Sequence, residues 1–231
     1  HRTVRLKRVL IEHTTTVATH WKNALEKESR LLDELEADQQ NNFPRCLVFQ
    51  QTAQGAVLAH QMSRGQTLRR VFGQADTPLD SHKAYLLVSS MSSLCGMLKV
   101  LHKKHLAHRN LTPESILLNH QRTYLRDVGL ATYKYEPGEG PDTYRAPEQR
   151  LGSHSLAIPG PQTDIYQVGA ILYTFLTGNA PALNGPILPP STYQPVLPTE
   201  LDAVLLKALA LQTTERWRTI GDFSRALKNC L

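Results

Sequence analysis

Cysteine is scarce in this sequence, and so are long apolar runs. The three cysteines, Cys46, Cys95 and Cys230, lie far apart and are odd in number, which argues against a disulfide framework and favours reduced thiols. No uninterrupted apolar run reaches the roughly 18 residues that a membrane-spanning helix needs, and no secretory leader opens the sequence. We therefore expect a cytoplasmic protein without a membrane segment in this stretch, although flanking regions could anchor it.

A strong charge imbalance is also missing. The formal net charge is +6, from 26 basic and 20 acidic residues. The basic residues are dispersed, and Arg69-Arg70 and Lys103-Lys104 are their densest groups. A solvated basic surface explains this excess as well as a nucleic-acid site would. We therefore predict no nucleic-acid partner.

The pattern of apolar residues changes along the chain from strand-like to helical. Strands are predicted at Thr3–Ile11, Cys46–Gln50, Ala56–Gln61, Ile116–Leu118 and Thr123–Leu125. Helices are predicted at 20–36, 83–104, 164–177, 200–211 and 218–230. Because the longer strands come first and most helices afterwards, we predict an α+β fold in two lobes.

The first predicted helix carries an acid on its apolar side. Trp21, Leu25, Leu32 and Leu35 fall on one stripe, and Glu28 falls on the same stripe. A carboxylate on a buried face needs a partner or must stay neutral. The stripe by itself leaves both possibilities open for Glu28.

Five motifs in the second half resemble those of protein kinases. Segment 108–118 (HRNLTPESILL) is similar to the catalytic loop HRDLKPENILL, and segments 127–129 (DVG) and 146–148 (APE) resemble the DFG and APE motifs. Asp164–Gly169 (DIYQVG) resembles the start of the central C-lobe helix, and Arg216 takes the place of the arginine that pairs with the APE glutamate. Because all five stand in the family's order, the chain is identified as a member of the protein kinase superfamily, similar to bacterial Ser/Thr kinases.

The resemblance implies a kinase-like domain with an incomplete or truncated N-lobe at 1–63 and a helical C-lobe at 64–231. Within the N-lobe, it makes Lys7 the phosphate-pairing lysine and Glu28 its helix partner. His60 would be the gatekeeper of the nucleotide cleft. No glycine-rich loop stands before the first strand in this sequence.

In the C-lobe, the resemblance implies structural roles for residues that would otherwise suggest catalysis. His108 would pack under the DVG motif, Asp164 would hold the backbone of the catalytic loop, and Glu148 would pair with Arg216. Arg109 would receive a phosphorylated residue of the activation segment, which runs from Leu130 to Arg145 between DVG and APE. The candidate acceptors are Thr132, Tyr133, Tyr135 and Thr143.

Three positions of the catalytic loop depart from the family together. Asn110 replaces the aspartate that accepts the substrate proton, and a carboxamide cannot take a proton. Thr112 replaces a lysine that would stabilise developing charge, and Ser115 replaces an asparagine that holds a second magnesium ion. These changes predict that no catalytic set is intact, and that the chain is a pseudokinase without useful enzymatic activity.

The resemblance leaves undecided whether a vestigial nucleotide site remains. Lys7, Glu28 and Asp127 could hold phosphates and magnesium, with Asp127 as the one metal ligand, and the hinge would contribute Gln61 and Ser63. Arg5 argues against it, because it stands where a small alanine would roof the adenine, and would either fill that pocket or swing out to solvent. We therefore expect no required cofactor and at most weak binding of ATP with magnesium.

Two hypotheses about function follow from these observations. The favoured one is an inactive kinase-like module for protein interaction, scaffolding or allosteric regulation, with a protein partner of unknown identity. The alternative is an atypical or weakly active ATP-dependent Ser/Thr protein kinase, whose phosphotransfer would depend on Lys7 and Asp127.

Overall fold

The N-terminal part of the chain is a small antiparallel sheet covered by one helix. The computed structural model describes residues 4–10, 16–52, 54–74, 79–120, 122–152, 157–182 and 185–230. The strands are β1 (Val4–Leu10), β2 (Arg45–Thr52) and β3 (Gly55–Gln61), in the order β1-β3-β2. Thr3 and Ile11, the ends of the first predicted strand, lie outside the described residues.

Helix α1 (Thr16–Ala37) connects β1 to β2 and packs its apolar stripe on the sheet. Leu25, Leu32 and Leu35 are fully buried, and so is Glu28. Trp21 lies at the edge of the stripe, 36% exposed, and its ring packs against Tyr133 of the C-terminal part. The acid predicted on the apolar face is therefore in the interior, where it must be paired or neutral.

A second small sheet joins the first part of the chain to the helices. It has the order β4-β5-β6, formed by β4 (Gln66–Thr67), β5 (Ile116–Asn119) and β6 (Arg122–Leu125). The helices are α2 (Leu68–Phe72), α3 (Ser81–Lys103), α4 (Pro161–Thr177), α5 (Pro190–Tyr193), α6 (Thr199–Ala208) and α7 (Ile220–Lys228). Together the two sheets and these helices confirm the α+β class, while the lobe boundary at residue 63 stays a prediction.

Helix α4 is the centre of the C-terminal core. Every residue from Thr163 to Thr177 is buried, and α3, α6 and α7 all pack against this helix. Gly178 ends the helix in the left-handed conformation, with φ of 76°, which favours glycine. Because a helix buried all round has little freedom to shift, it is a rigid base for the loops at its N-terminus.

Within the described part of the chain, α3 is the one helix long and apolar enough to cross a membrane. Its mean hydropathy reaches 1.5, and 56% of the apolar stretch is buried inside the protein. It packs against α7, α4 and β6. Since the core helix of a globular domain has the same length and composition, this helix is weak evidence for a membrane span.

Candidate active site

The loop between α3 and β5 is held by the first turn of α4. Asp164 accepts hydrogen bonds from the backbone N–H of His108 at 2.9 Å and of Arg109 at 2.8 Å. Nε2 of His102 lies 2.8 Å from the same carboxylate, which is fully buried. Arg109 has a φ of 57°, in the left-handed region. The buried carboxylate therefore holds a backbone conformation that a non-glycine residue disfavours.

Two buried glutamines complete the support of this loop. Gln167 of α4 accepts from the N–H of Leu111 at 2.9 Å and donates to the carbonyl of Arg109 at 3.0 Å. Gln149 donates to the same carbonyl at 2.8 Å and accepts from Gln167 at 2.9 Å. Sequence reasoning missed both residues. A signal was available, because a glutamine inside an apolar helix must find polar partners.

The DVG segment packs directly on the loop. Gly129 has a φ of 59°, and a Cβ there would lie 2.3 Å from the His108 carbonyl oxygen and 2.4 Å from its Nδ1, so no other residue fits. Nδ1 of His108 accepts from the N–H of Asn110 at 3.3 Å, and Nε2 of the same ring lies 3.5 Å from Oδ1 of Asp127.

The inner face of β1 places two cations over this segment. Arg5 and Lys7 lie opposite His60 and Leu58 of β3, on the same face of the sheet. Lys7 Nζ donates to Oε1 of Glu28 at 2.6 Å, so this acid is paired. Arg5 neither fills a pocket nor turns to solvent, but donates to Oδ2 of Asp127 across the cleft.

Burial and charge set the pKa values of the cleft residues. Burial alone would raise the pKa of Asp127, but the His108 ring and the charges of Lys7 and Arg5 hold it below its usual range. Burial raises the pKa of Glu28 in spite of Lys7. Burial, and then Lys7 and Arg5, lower the pKa of His60 to about 4, so His60 is neutral. Within the described residues, neither ring nitrogen of His60 has a hydrogen-bond partner.

The three departing positions of the catalytic loop have different surroundings. Asn110 lines a cavity of about 270 Å³ together with Trp21, Tyr133 and Glu139. Thr112 and Ser115 are instead hydrogen-bonded to each other. The Ser115 hydroxyl accepts from the N–H of Thr112 at 3.0 Å and donates to its carbonyl at 2.9 Å, and the Thr112 hydroxyl accepts from the N–H of Ser115 at 3.2 Å. Ser115 therefore closes a turn, while Asn110 remains accessible.

The hinge residues line a separate cavity. Gln61 and Ser63 border a space of about 330 Å³, together with Glu36 and Arg45. Lys7, Glu28 and Asp127 are not part of its lining. The structure therefore brings together the phosphate-side residues of the predicted nucleotide site, but not the side chains of Gln61 and Ser63 with them.

Glu148 and Arg216 form a bidentate ion pair in the C-terminal core. Two guanidinium nitrogens donate to the two carboxylate oxygens at 2.9 and 2.8 Å, and neither side chain is exposed. Thr163 donates to the same carboxylate at 2.7 Å. Burial would raise the pKa of Glu148, but Arg216 and Thr163 outweigh it and lower the pKa. The pair connects the APE segment to the turn that precedes α7.

A magnesium site like that of kinases does not fit the residues as they stand. Asp127 accepts from the N–H of Gly129 at 2.9 Å through one oxygen and from Arg5 through the other. Ser115 is occupied within its turn. Among the described residues, no three His, Cys, Asp or Glu side chains are grouped to hold a metal ion. A nucleotide phosphate fits better than a metal ion, because Lys7 supplies a cation at the cleft. Within the described residues, three buried atoms beside it have no hydrogen-bond partner, Glu28 Oε2 and both ring nitrogens of His60.

Comparison with known proteins supports the assignment that these motifs suggest. The model of the protein kinase domain family matches residues 2–218. The chain is 30% identical over 180 residues to serine/threonine-protein kinase Pkn1 of Myxococcus xanthus, covering 67% of this chain and 25% of that protein. It is 28% identical to PknB of Mycolicibacterium smegmatis, covering 68% and 28%. The chain thus spans about a quarter of the length of these relatives.

Solved structures show the same fold at low identity. The PknI kinase domain of Mycobacterium tuberculosis superposes with a TM-score of 0.64 at 18% identity, covering 99% of this chain and 86% of that one. At this identity, the likeness shows the fold alone. Together with the family match, it confirms a protein-kinase-like fold with a small N-lobe and a helical C-lobe.

The chain belongs to the protein kinase family, and its relatives are bacterial-type Ser/Thr protein kinases. The prediction that it is no enzyme but a pseudokinase is therefore wrong, because these relatives carry the names of Ser/Thr protein kinases. The three changed positions leave the supports of the site in place, because Asp164 and Gln167 still hold the catalytic loop and Lys7 still pairs with Glu28. The family implies ATP with magnesium as its cofactor.

Proposed function

We propose that this chain is an atypical Ser/Thr protein kinase domain that transfers phosphate from ATP slowly. The observation that carries the proposal is the buried ion pair of Lys7 and Glu28, 2.6 Å long, at the cleft that Asp127 also faces. Active kinases need both this ion pair and a metal contact of the DFG aspartate, and this chain retains the ion pair. The names of the relatives support the same chemistry.

The chemistry needs position and charge more than it needs a base. Phosphoryl transfer passes through a loose transition state, so most of its catalysis comes from orientation and electrostatics. ATP, when bound, supplies the phosphoryl group. Lys7 holds the phosphates, and the Asn110 side chain accepts a hydrogen bond from the substrate hydroxyl. The hydroxyl oxygen bonds to the γ-phosphorus, the bond from that phosphorus to ADP breaks, and the proton passes to solvent.

The partner we propose is a protein that presents a serine or threonine at the cavity beside Asn110. The exposed edge of this cavity is formed by α1 and the activation segment, with an aromatic contact of 5.1 Å between Trp21 and Tyr133. Its lining includes a positive side chain, Lys134, and two negative ones, Glu136 and Glu139. Action in the cytoplasm, without nucleic acid, stays part of this proposal.

The test is transfer of radiolabelled γ-phosphate to a generic Ser/Thr substrate protein. We expect a rate about 10²–10⁴-fold below the usual 1–100 s⁻¹, because a positioned base is missing. Lys7→Ala should abolish transfer, whereas Lys27→Ala, on the exposed side of α1, should not change it. Asn110→Asp should raise the rate about 100-fold. Transfer no faster than in the Lys7→Ala variant would refute the proposal.

A further inference from the structure

Asp127 keeps the identity of the DFG aspartate, but its surroundings differ from those of a metal ligand. The carboxylate already accepts two hydrogen bonds, from Gly129 N–H and from Arg5. Its pKa is held low by neighbours that are part of the protein. A magnesium ion needs near-octahedral oxygen ligands and gives up its water reluctantly. It would have to displace the guanidinium to reach Oδ2.

The charges of the cleft balance without a metal ion. Arg5 pairs with Asp127, and Lys7 pairs with Glu28. The two cations are two residues apart on one face of β1, about 6.5–7 Å along the strand. Arg5 is 32% exposed at its side chain and Lys7 18%, so an anion from solvent can reach both.

A guanidinium is well suited to take over a metal's contacts with phosphate. It carries five N–H donors in a planar fork that binds phosphate oxygens in pairs, and it stays charged at every accessible pH. The contact with Asp127 uses one terminal nitrogen of Arg5, Nη1. Within the described residues, the remaining donors of Arg5 have no other partner, so they can bind a ligand that enters between Arg5 and Lys7.

We propose that Arg5 occupies the place of the metal ion, so that Arg5 and Lys7 bind the polyphosphate of a nucleotide without a divalent cation. This inference rests on the proposed function for the identity of the ligand class, a nucleoside polyphosphate. The inference goes beyond the proposed function because it assigns to Arg5 of β1 the role that magnesium has in the family.

The experiment is calorimetric titration of ATP into the chain, once with magnesium and once with EDTA. We expect the two dissociation constants to agree within about threefold. Arg5→Ala should weaken binding in EDTA about tenfold or more, the value of a lost charge-assisted bond, and should make binding depend on magnesium because Asp127 is released. Arg5→Lys keeps the positive charge but loses the planar set of donors. Its dissociation constant should lie between those of the unmodified chain and Arg5→Ala. Arg8→Ala, exposed on the other face of β1, is the matched control.

Several outcomes would overturn the inference. Binding by the unmodified chain that requires magnesium would show that Arg5 does not replace the ion. Tighter binding by Arg5→Ala than by the unmodified chain in both buffers would show that Arg5 blocks the site. Binding of ATP that is insensitive to EDTA, without phosphotransfer, would refute the proposed function and leave this inference standing. Phosphotransfer combined with strictly magnesium-dependent binding would refute this inference and leave the proposed function standing.

Discussion

Arg109 and Glu139 are joined by two hydrogen bonds, of 3.0 and 3.1 Å, from one guanidinium nitrogen to both carboxylate oxygens. Both side chains are only 7% exposed. The same guanidinium donates to the carbonyls of Leu130 and Tyr133. Arg109 was expected to await a phosphorylated residue, but a carboxylate of the activation segment already occupies it. Two of the expected acceptors are also engaged, since Thr132 donates to Ala24 and Tyr135 to Glu148.

The activation segment should therefore be ordered without phosphorylation, and Glu139→Gln should loosen it. We expect a loss of about 1–3 kcal/mol in the free energy of unfolding, because a buried guanidinium loses its counter-charge. Limited proteolysis should cut the segment 130–145 faster in this variant. Asp142→Asn, whose side chain is 93% exposed in its pair with Arg145, is the control. Equal cleavage rates in both variants would contradict the role of Glu139.

His60 should make stability fall in mild acid. The unfolded chain protonates histidine near pH 6.5, whereas burial, Lys7 and Arg5 lower the pKa of His60 to about 4 in the folded state. Between these values, the unfolded state binds a proton that the folded state does not, so stability is lost as pH falls from 6.5 towards 4. The loss amounts to about 1.4 kcal/mol per pKa unit.

Urea titrations across this pH range measure the effect. His60→Leu should flatten the pH dependence, and should also stabilise the fold because it removes two buried atoms without partners. His82→Leu, at an exposed position, should leave the profile as it is. A profile of His60→Leu as steep as that of the unmodified chain would exclude His60 as the cause.

Replacing one member of the Glu148–Arg216 ion pair should destabilise the protein far more than replacing both members together. Arg216→Met leaves a buried carboxylate uncompensated, and should cost about 3–5 kcal/mol in urea unfolding. Glu148→Leu combined with Arg216→Met should cost less than Arg216→Met alone. Arg225→Met, which removes an exposed partner of Asp222, should change stability by less than about 1 kcal/mol. Additive losses in the double variant would argue against a coupled pair.

Gln167→Leu tests the support of the catalytic loop. The substitution leaves the buried N–H of Leu111 without its acceptor, and should cost about 1–3 kcal/mol in thermal or urea unfolding. Transfer activity should fall as well, because the loop that carries Asn110 loses a fixed point. Gln162→Leu, at a bond to Arg218 on the surface, is the matched change. Unaltered stability and activity in Gln167→Leu would show that Asp164 holds the loop without help from Gln167.

Local sequence was sufficient for the features whose residues are neighbours in the chain. The catalytic loop at 108–118, the DVG and APE segments and the helical periodicity of α3 and α4 depend on short-range patterns, and they predicted the family and the fold class. The apolar stripe predicted that Glu28 must be paired or neutral, and the family resemblance named Lys7 as its partner.

Tertiary structure alone decided what happens between distant residues. Arg5 and Asp127 are 122 positions apart. No local pattern predicts that Arg5, expected to fill an adenine pocket or to turn to solvent, instead crosses the cleft to a carboxylate. The same holds for Glu139 at Arg109 and for the two glutamines under the loop. Such contacts depend on which groups the packed core leaves unpaired and within reach, and this is settled only when α1, α4 and the sheet have come together.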